Sequence, residues 1–116
     1  MTTPEDPYPW LPLDVVIEWI GSQAAANSPA IDRARLGAAA YVEANRRDIF
    51  PRGTLTTEAP SDVVMAGCLA AARLYARKGS PAGLAAYAEF ATAVLSRDAD
   101  VERMLGIGRY AKPAVG

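Results

Sequence analysis

Ser61-Asp-Val-Val-Met-Ala-Gly-Cys-Leu-Ala-Ala-Ala-Arg-Leu-Tyr-Ala-Arg77 is the stretch that decides the fold class of this 116-residue chain. Val64, Cys68, Ala71 and Tyr75 recur at helical spacing, and Val63, Gly67, Ala70 and Leu74 form a second row beside them. The spacing predicts a helix over 62–77, capped by Ser61 and closed by the basic run Arg77-Lys78 before Gly79. A helix apolar over so much of its circumference belongs in the middle of its neighbours. Gly67 costs about 1 kcal/mol against alanine in a helix interior. Close packing against a second helix, the one carrying Gly37, is the expected compensation.

Working outward, Asn27-Ser28-Pro29 is a cap and first-turn proline for that second helix, which follows Ile31, Ala34, Ala38, Tyr41 and Val42 to about Arg47. Pro12 opens a short first helix that Gly21 ends, with Val15, Val16, Trp19 and Ile20 as one apolar face and Asp14 and Glu18 on the wetter side. Residues 48–60 read as a projecting loop with an extended piece at Gly53-Thr-Leu-Thr-Thr. Ser80-Pro81 starts another helical pattern through Leu84, Tyr87, Phe90 and Ala91, although 89–97 also fits an extended strand. Asp98 caps a final short helix with Val101, Met104 and Leu105 on one face, ended by Gly106 and Gly108. The expected fold is therefore all-α: a small bundle of two longer helices, short N- and C-terminal helices, and an extended C-terminal arm. Its expected divisions are a flexible arm at 1–11, a helical domain at 12–105 and an attachment arm at 106–116.

Alanine contributes 24 residues, so the core must be thin and its helices close. Gly37, Tyr41, Gly67, Cys68 and Leu74 are the expected helix-packing residues. Charge is nearly balanced, with 12 Lys and Arg against 13 Asp and Glu, but unevenly spread. Every charge before Arg33 is acidic, and the three after Glu102 (Arg103, Arg109 and Lys112) are basic. Such ends suit contact between neighbouring copies.

The chain has no histidine and one cysteine, Cys68, which sits in the apolar helical pattern. No internal disulfide can form, and nucleophilic catalysis lacks its usual base, so no enzyme activity, cofactor or metal is expected. Gly106-Ile-Gly-Arg follows a helix instead of opening one, which makes it a helix stop and not a phosphate cradle. Asp98, Asp100 and Glu102 read as capping and charge compensation at a helix start, not as a cation site. The N-terminus lacks the basic and apolar regions of a secretion signal and no segment is long and apolar enough for a membrane span, so synthesis in the cytoplasm is expected. Arg33, Arg35, Arg46, Arg47, Arg73, Arg77 and Lys78 would form a basic face if the two long helices aligned, which keeps nucleic-acid binding as the second function class. The most suggestive functional stretch is the tail, where Ile107 and Tyr110 are apolar anchors and Arg109 and Lys112 supply charge. Arg103, Leu105, Ile107, Arg109, Tyr110 and Lys112 are the expected partner or subunit interface.

The order of these elements, with Arg77-Lys-Gly-Ser-Pro-Ala-Gly-Leu and Asp98-Ala-Asp-Val-Glu-Arg-Met-Leu-Gly-Ile-Gly-Arg as its sharpest parts, resembles the small head-to-tail connector, or adaptor, proteins of long-tailed bacteriophages. The likeness runs from Leu11 onward. It departs at 82–93, which is alanine-heavy where related chains are more glycine-rich and extended. The resemblance implies a structural virion protein at the head–tail junction, in a ring of about twelve copies beneath the portal. Its implied partners are further copies, the portal protein and a tail-side connector or terminator protein, with double-stranded DNA passing through the ring and no membrane. The long helices would form the subunit body, 80–97 would lie near the lumen or a neighbour, and 101–112 would reach the portal or an adjacent copy. The alternatives are a small DNA-binding packaging subunit of terminase type and a tail-completion or minor capsid protein.

Overall fold

The computed structural model describes residues 6–21, 28–77 and 84–107, with the side chains of residues 28 and 84–89 left aside. The fold is all-α: α1 (Leu13–Ile20), α2 (Ser28–Asn45), α3 (Ser61–Ala76), α4 (Leu84–Leu95) and α5 (Ala99–Leu105), with no strand among the described residues. α2 and α3 form the central pair. α1 and α4 each pack on both of them, and α5 packs on α3.

The central pair is close because its contact faces are small. α3 buries Val63, Ala66, Gly67, Cys68, Ala70, Ala71 and Leu74, and α2 buries Ile31, Ala34, Ala38, Ala39, Tyr41 and Val42. Cys68 is 1% exposed, and burial pushes its thiol up to about 11, as for any small core side chain shut away from water. The helix packing differs from expectation at Gly67. A Cβ there would stand 3.0 Å and 3.2 Å from the two terminal methyls of Leu11 and 3.2 Å from Cζ3 of Trp10. The close approach is made by the N-terminal segment, not by the helix carrying Gly37.

That segment is part of the body. Trp10 is 3% exposed and Leu11 fully buried, so the core begins before residue 12. The Trp10 ring packs 4.7 Å from Phe50, centroid to centroid, and its Nε1 donates to Glu43 Oε2 at 2.8 Å. Arg35, 5% exposed, ties the rest down: Nη1 donates to the Leu11 carbonyl at 3.0 Å and to both Asp6 carboxylate oxygens at 3.1 Å, while Nε reaches Asp32 Oδ1 at 2.9 Å. A buried guanidinium must be met in this way, because an unpaired buried charge is costly. Arg35→Ala is expected to lose about 2 kcal/mol, below the usual ~3–5 for a fully buried pair because both carboxylates are more than a third exposed. Arg35→Met should lose less. Urea unfolding of the three chains is the check, and an unchanged midpoint for the alanine variant would contradict the role given to Arg35.

Helix ends follow local chemistry with three corrections. α3 begins one residue early: Pro60, extended at φ −56° and ψ 148°, takes the cap position, and Ser61 makes no capping bond. The Val63 amide bonds instead to Pro60 O and Asp62 Oδ1, both at 3.0 Å. α4 runs unbroken to Leu95, with Ala91 and Leu95 in the core, so 89–97 is not a strand. In α1 the buried arc centres on Val16, with Leu13, Ile17 and Ile20 packed around it, and this turns Trp19 outward to 43% exposure. The loop at 51–60 is exposed, and its Gly53-Thr-Leu-Thr-Thr piece forms no ladder. Gly79, expected to close α3, lies outside the described residues.

Candidate functional site

The most elaborated polar geometry surrounds α5. Asp98 caps it, its Oδ1 accepting the amides of Asp100 at 3.1 Å and Val101 at 3.2 Å. Arg73 of α3 grips the same end, with Nε 3.1 Å from Asp98 Oδ2 and Nη2 3.0 Å from Asp100 Oδ2. The other end stops at Gly106 in the left-handed region, φ 68° and ψ 41°, where the Gly106 amide donates to Arg103 O and the Ile107 amide to Glu102 O. Arg46, just beyond α2, donates from Nη1 to the Leu105 carbonyl at 2.7 Å and holds Asp48 with Nε and Nη2. That pairing keeps the Asp48 carboxyl below its ordinary range, and the Arg46 guanidinium above its own, chiefly through the shared hydrogen bonds. An arginine thus meets α5 at each end, a cation for the capping carboxylates and a donor for the last carbonyls. The pairs at Arg73 are surface pairs, so their main effect is to orient and not to stabilise.

The expected interface residues fall on different sides of this geometry. Leu105 is fully buried, so it belongs to the core and not to a partner surface. Burial of Val101 and Leu105 is what docks α5 on α3. Ile107 packs against the core at its edge, Arg103 is exposed, and Arg109, Tyr110 and Lys112 lie outside the described residues. Gly37, Tyr41, Gly67, Cys68 and Leu74 are all buried.

The basic face does not assemble. Arg35, Arg46 and Arg73 are each turned onto acidic side chains of the chain itself, and Arg47 reaches the Phe50 carbonyl. Arg33 and Arg77 are exposed, and Lys78 lies outside the described residues. No group of acidic or thiol side chains among the described residues is arranged to hold a metal ion.

A groove of about 290 Å³ runs between α2 and α4, lined by Gly37, Ala40, Tyr41, Ala44 and Asn45 on one side and by Thr92 and Ser96 on the other. Its floor lies low on α2 because that helix offers hydrogen, methyl and methyl at Gly37, Ala40 and Ala44. Tyr41 is 8% exposed, and burial first, then the Glu102 and Asp98 charges, push its hydroxyl up, so it stays neutral. The groove therefore offers apolar contact with a polar rim, and no charged side chain lines it. Among the described residues, Trp19, Leu55 and Met65 are the large apolar side chains left exposed, at 43%, 47% and 45%.

Sequence reasoning missed Trp10, Leu11 and Arg35 as one unit. A signal existed: Arg35 falls within the apolar stripe of Ile31, Ala34, Ala38 and Val42, and an arginine there calls for acids, which are the only charges upstream of Arg33.

Comparison of the chain with protein-family models, with curated proteins and with solved structures finds no match.

Proposed function

We propose that this chain is a structural virion subunit that forms a ring at the portal vertex of a long-tailed bacteriophage, joining head to tail and continuing the DNA channel. The observation that carries the reading is the seating of α5. Residues 98–107, within the stretch of sharpest likeness to connector proteins, are held on the body by Arg73 at one end and Arg46 at the other. Residues 108–116, with Arg109, Tyr110 and Lys112, thus follow from a fixed point, and weak attachment by one copy is multiplied around a ring. The pairing of Arg35, Arg46 and Arg73 with carboxylates of the chain itself also suits a wall past which DNA slides, since a dense free basic lining would retain the phosphates. The same pairing weighs against the terminase-type alternative, which needs Arg33, Arg46, Arg73 and Lys78 free together. A tail-completion or minor capsid role would share the assembly chemistry at another site.

Reconstruction of particles containing this chain tests the reading: density for it at a single vertex, between portal and tail, is the expected result, and density elsewhere rejects it. A chain ending at Ile107 provides the second test. Because the Ile107 amide closes the α5 end and its side chain packs on the core, this chain should keep the wild-type melt and helicity while its co-purification with portal-bearing particles drops at least tenfold. Undiminished attachment would remove the tail from the mechanism.

A further inference from the structure

We propose that the groove between α2 and α4 receives Trp19 from a second copy of this chain, a head-to-tail contact that rests on the ring reading above. Three observations converge on it.

The first is the knob. α1 holds its inner arc against α2 and α3 and leaves Trp19 at 43% exposure, whereas the other tryptophan, Trp10, is 3% exposed. An exposed indole on a rigid helix is the side chain that most often anchors an interface, since it carries a large apolar area at low entropic cost.

The second is the hole. At about 290 Å³ the groove has room for one large inserted side chain. Its depth comes from Gly37, Ala40 and Ala44, and the polar atoms of Asn45, Thr92 and Ser96 stand on its rim within the same site, where an indole N–H needs an acceptor.

The third is charge. Asp14 and Glu18 lie one turn apart on α1, the helix that carries Trp19, both exposed and without an ion-pair partner among the described residues. Cations stand by both ends of the groove, while the Glu102 and Asp98 charges reach Tyr41 within it. Arg33 precedes Gly37 by one turn on the same line of α2, and Arg97 follows Ser96; both are exposed and have no ion-pair partner among the described residues. An acidic row on the helix of the knob thus meets cations at the ends of the hole, which favours one direction of docking.

The main packing of α1 and of α4 is on α2 and α3, and the knob sits on α1 while the hole lies between α2 and α4, so knob and hole are different faces of the chain. A contact that joins two different faces propagates from copy to copy, closing as a ring where the rotation between copies returns to the start and running on as a filament where it does not, whereas a two-fold contact would stop at a dimer.

Sedimentation velocity of the full chain over a range of concentrations tests this, with Trp19→Ala to remove the knob and Ala44→Glu to block the hole. Trp19 and Ala44 are both exposed, so each variant should keep the wild-type circular dichroism and melt while its self-association weakens roughly thirtyfold or more. An equimolar mixture of the two variants should form dimers and nothing larger, because one intact knob and one intact hole remain per pair. Association that persists unchanged in either variant overturns this contact and leaves the ring reading standing. A wild-type chain that stays monomeric throughout also overturns it, and the ring reading is then judged by the particle reconstruction alone.

Discussion

Trp10→Ala should remove about 4 kcal/mol of folding stability, the range expected for truncating a fully buried large aromatic. Three losses combine. The indole leaves a cavity against Phe50, the Glu43 carboxylate loses the donor that met it at 2.8 Å, and the floor beneath Gly67 opens. Small domains have only about 5–15 kcal/mol in total, so the variant should be marginal at 25 °C. Trp10→Phe keeps one aromatic ring in the site but gives up the N–H and the volume of the second ring, at a cost of about 2 kcal/mol. Urea unfolding followed by circular dichroism separates the two. Fluorescence adds an independent readout: with Trp10 gone, the remaining emission comes from the exposed Trp19 and should be red-shifted in the folded state. A cost below about 1 kcal/mol for the alanine variant would mean that the N-terminal segment does not belong to the core.

Gly67→Leu is expected to cost about 3 kcal/mol, at the upper end of overpacking effects. Even a methyl at this position meets Leu11 Cδ2 at 3.0 Å, and a leucine needs the space that the Leu11 and Trp10 side chains fill. Gly67→Ala should be nearly neutral. The ends of the Leu11 side chain can shift by a few tenths of an ångström, and alanine recovers about 1 kcal/mol of helix propensity. The pair Gly67→Leu with Leu11→Ala should regain part of the loss, a coupling absent if the clash were with the helix carrying Gly37. Thermal melts of the four chains decide between these outcomes.

The candidate site was legible only in part. Asp98 reads as a cap and Gly106 as a stop because both acts are completed within one turn, by amides at positions 100, 101, 106 and 107. Leu105 was grouped with Arg103 and Ile107 as a partner surface because a two-turn helix has an apolar face whichever body it meets. Only the packing of α5 on α3 shows that Leu105 spends that face inside its own chain. The groove had no sequence signature, since Gly37, Ala40 and Ala44 also fit a tight helix contact, and what makes a groove of them is the position of Thr92 and Ser96 opposite.

By itself the sequence determined the all-α class, the order of the helices and most of their ends, because helical period, caps and breakers act over three or four residues and carry their own hydrogen bonds. The tertiary structure decided which of those residues meet. Arg35 finds Asp6 across 29 residues, Trp10 finds Glu43 across 33, and Arg46 finds the Leu105 carbonyl across 59. It also decided which arc of α1 turns inward, leaving Trp19 at the surface. An apolar stripe says that a face will be buried, but the direction of burial is set by the neighbours that fill it, and these come from distant parts of the chain.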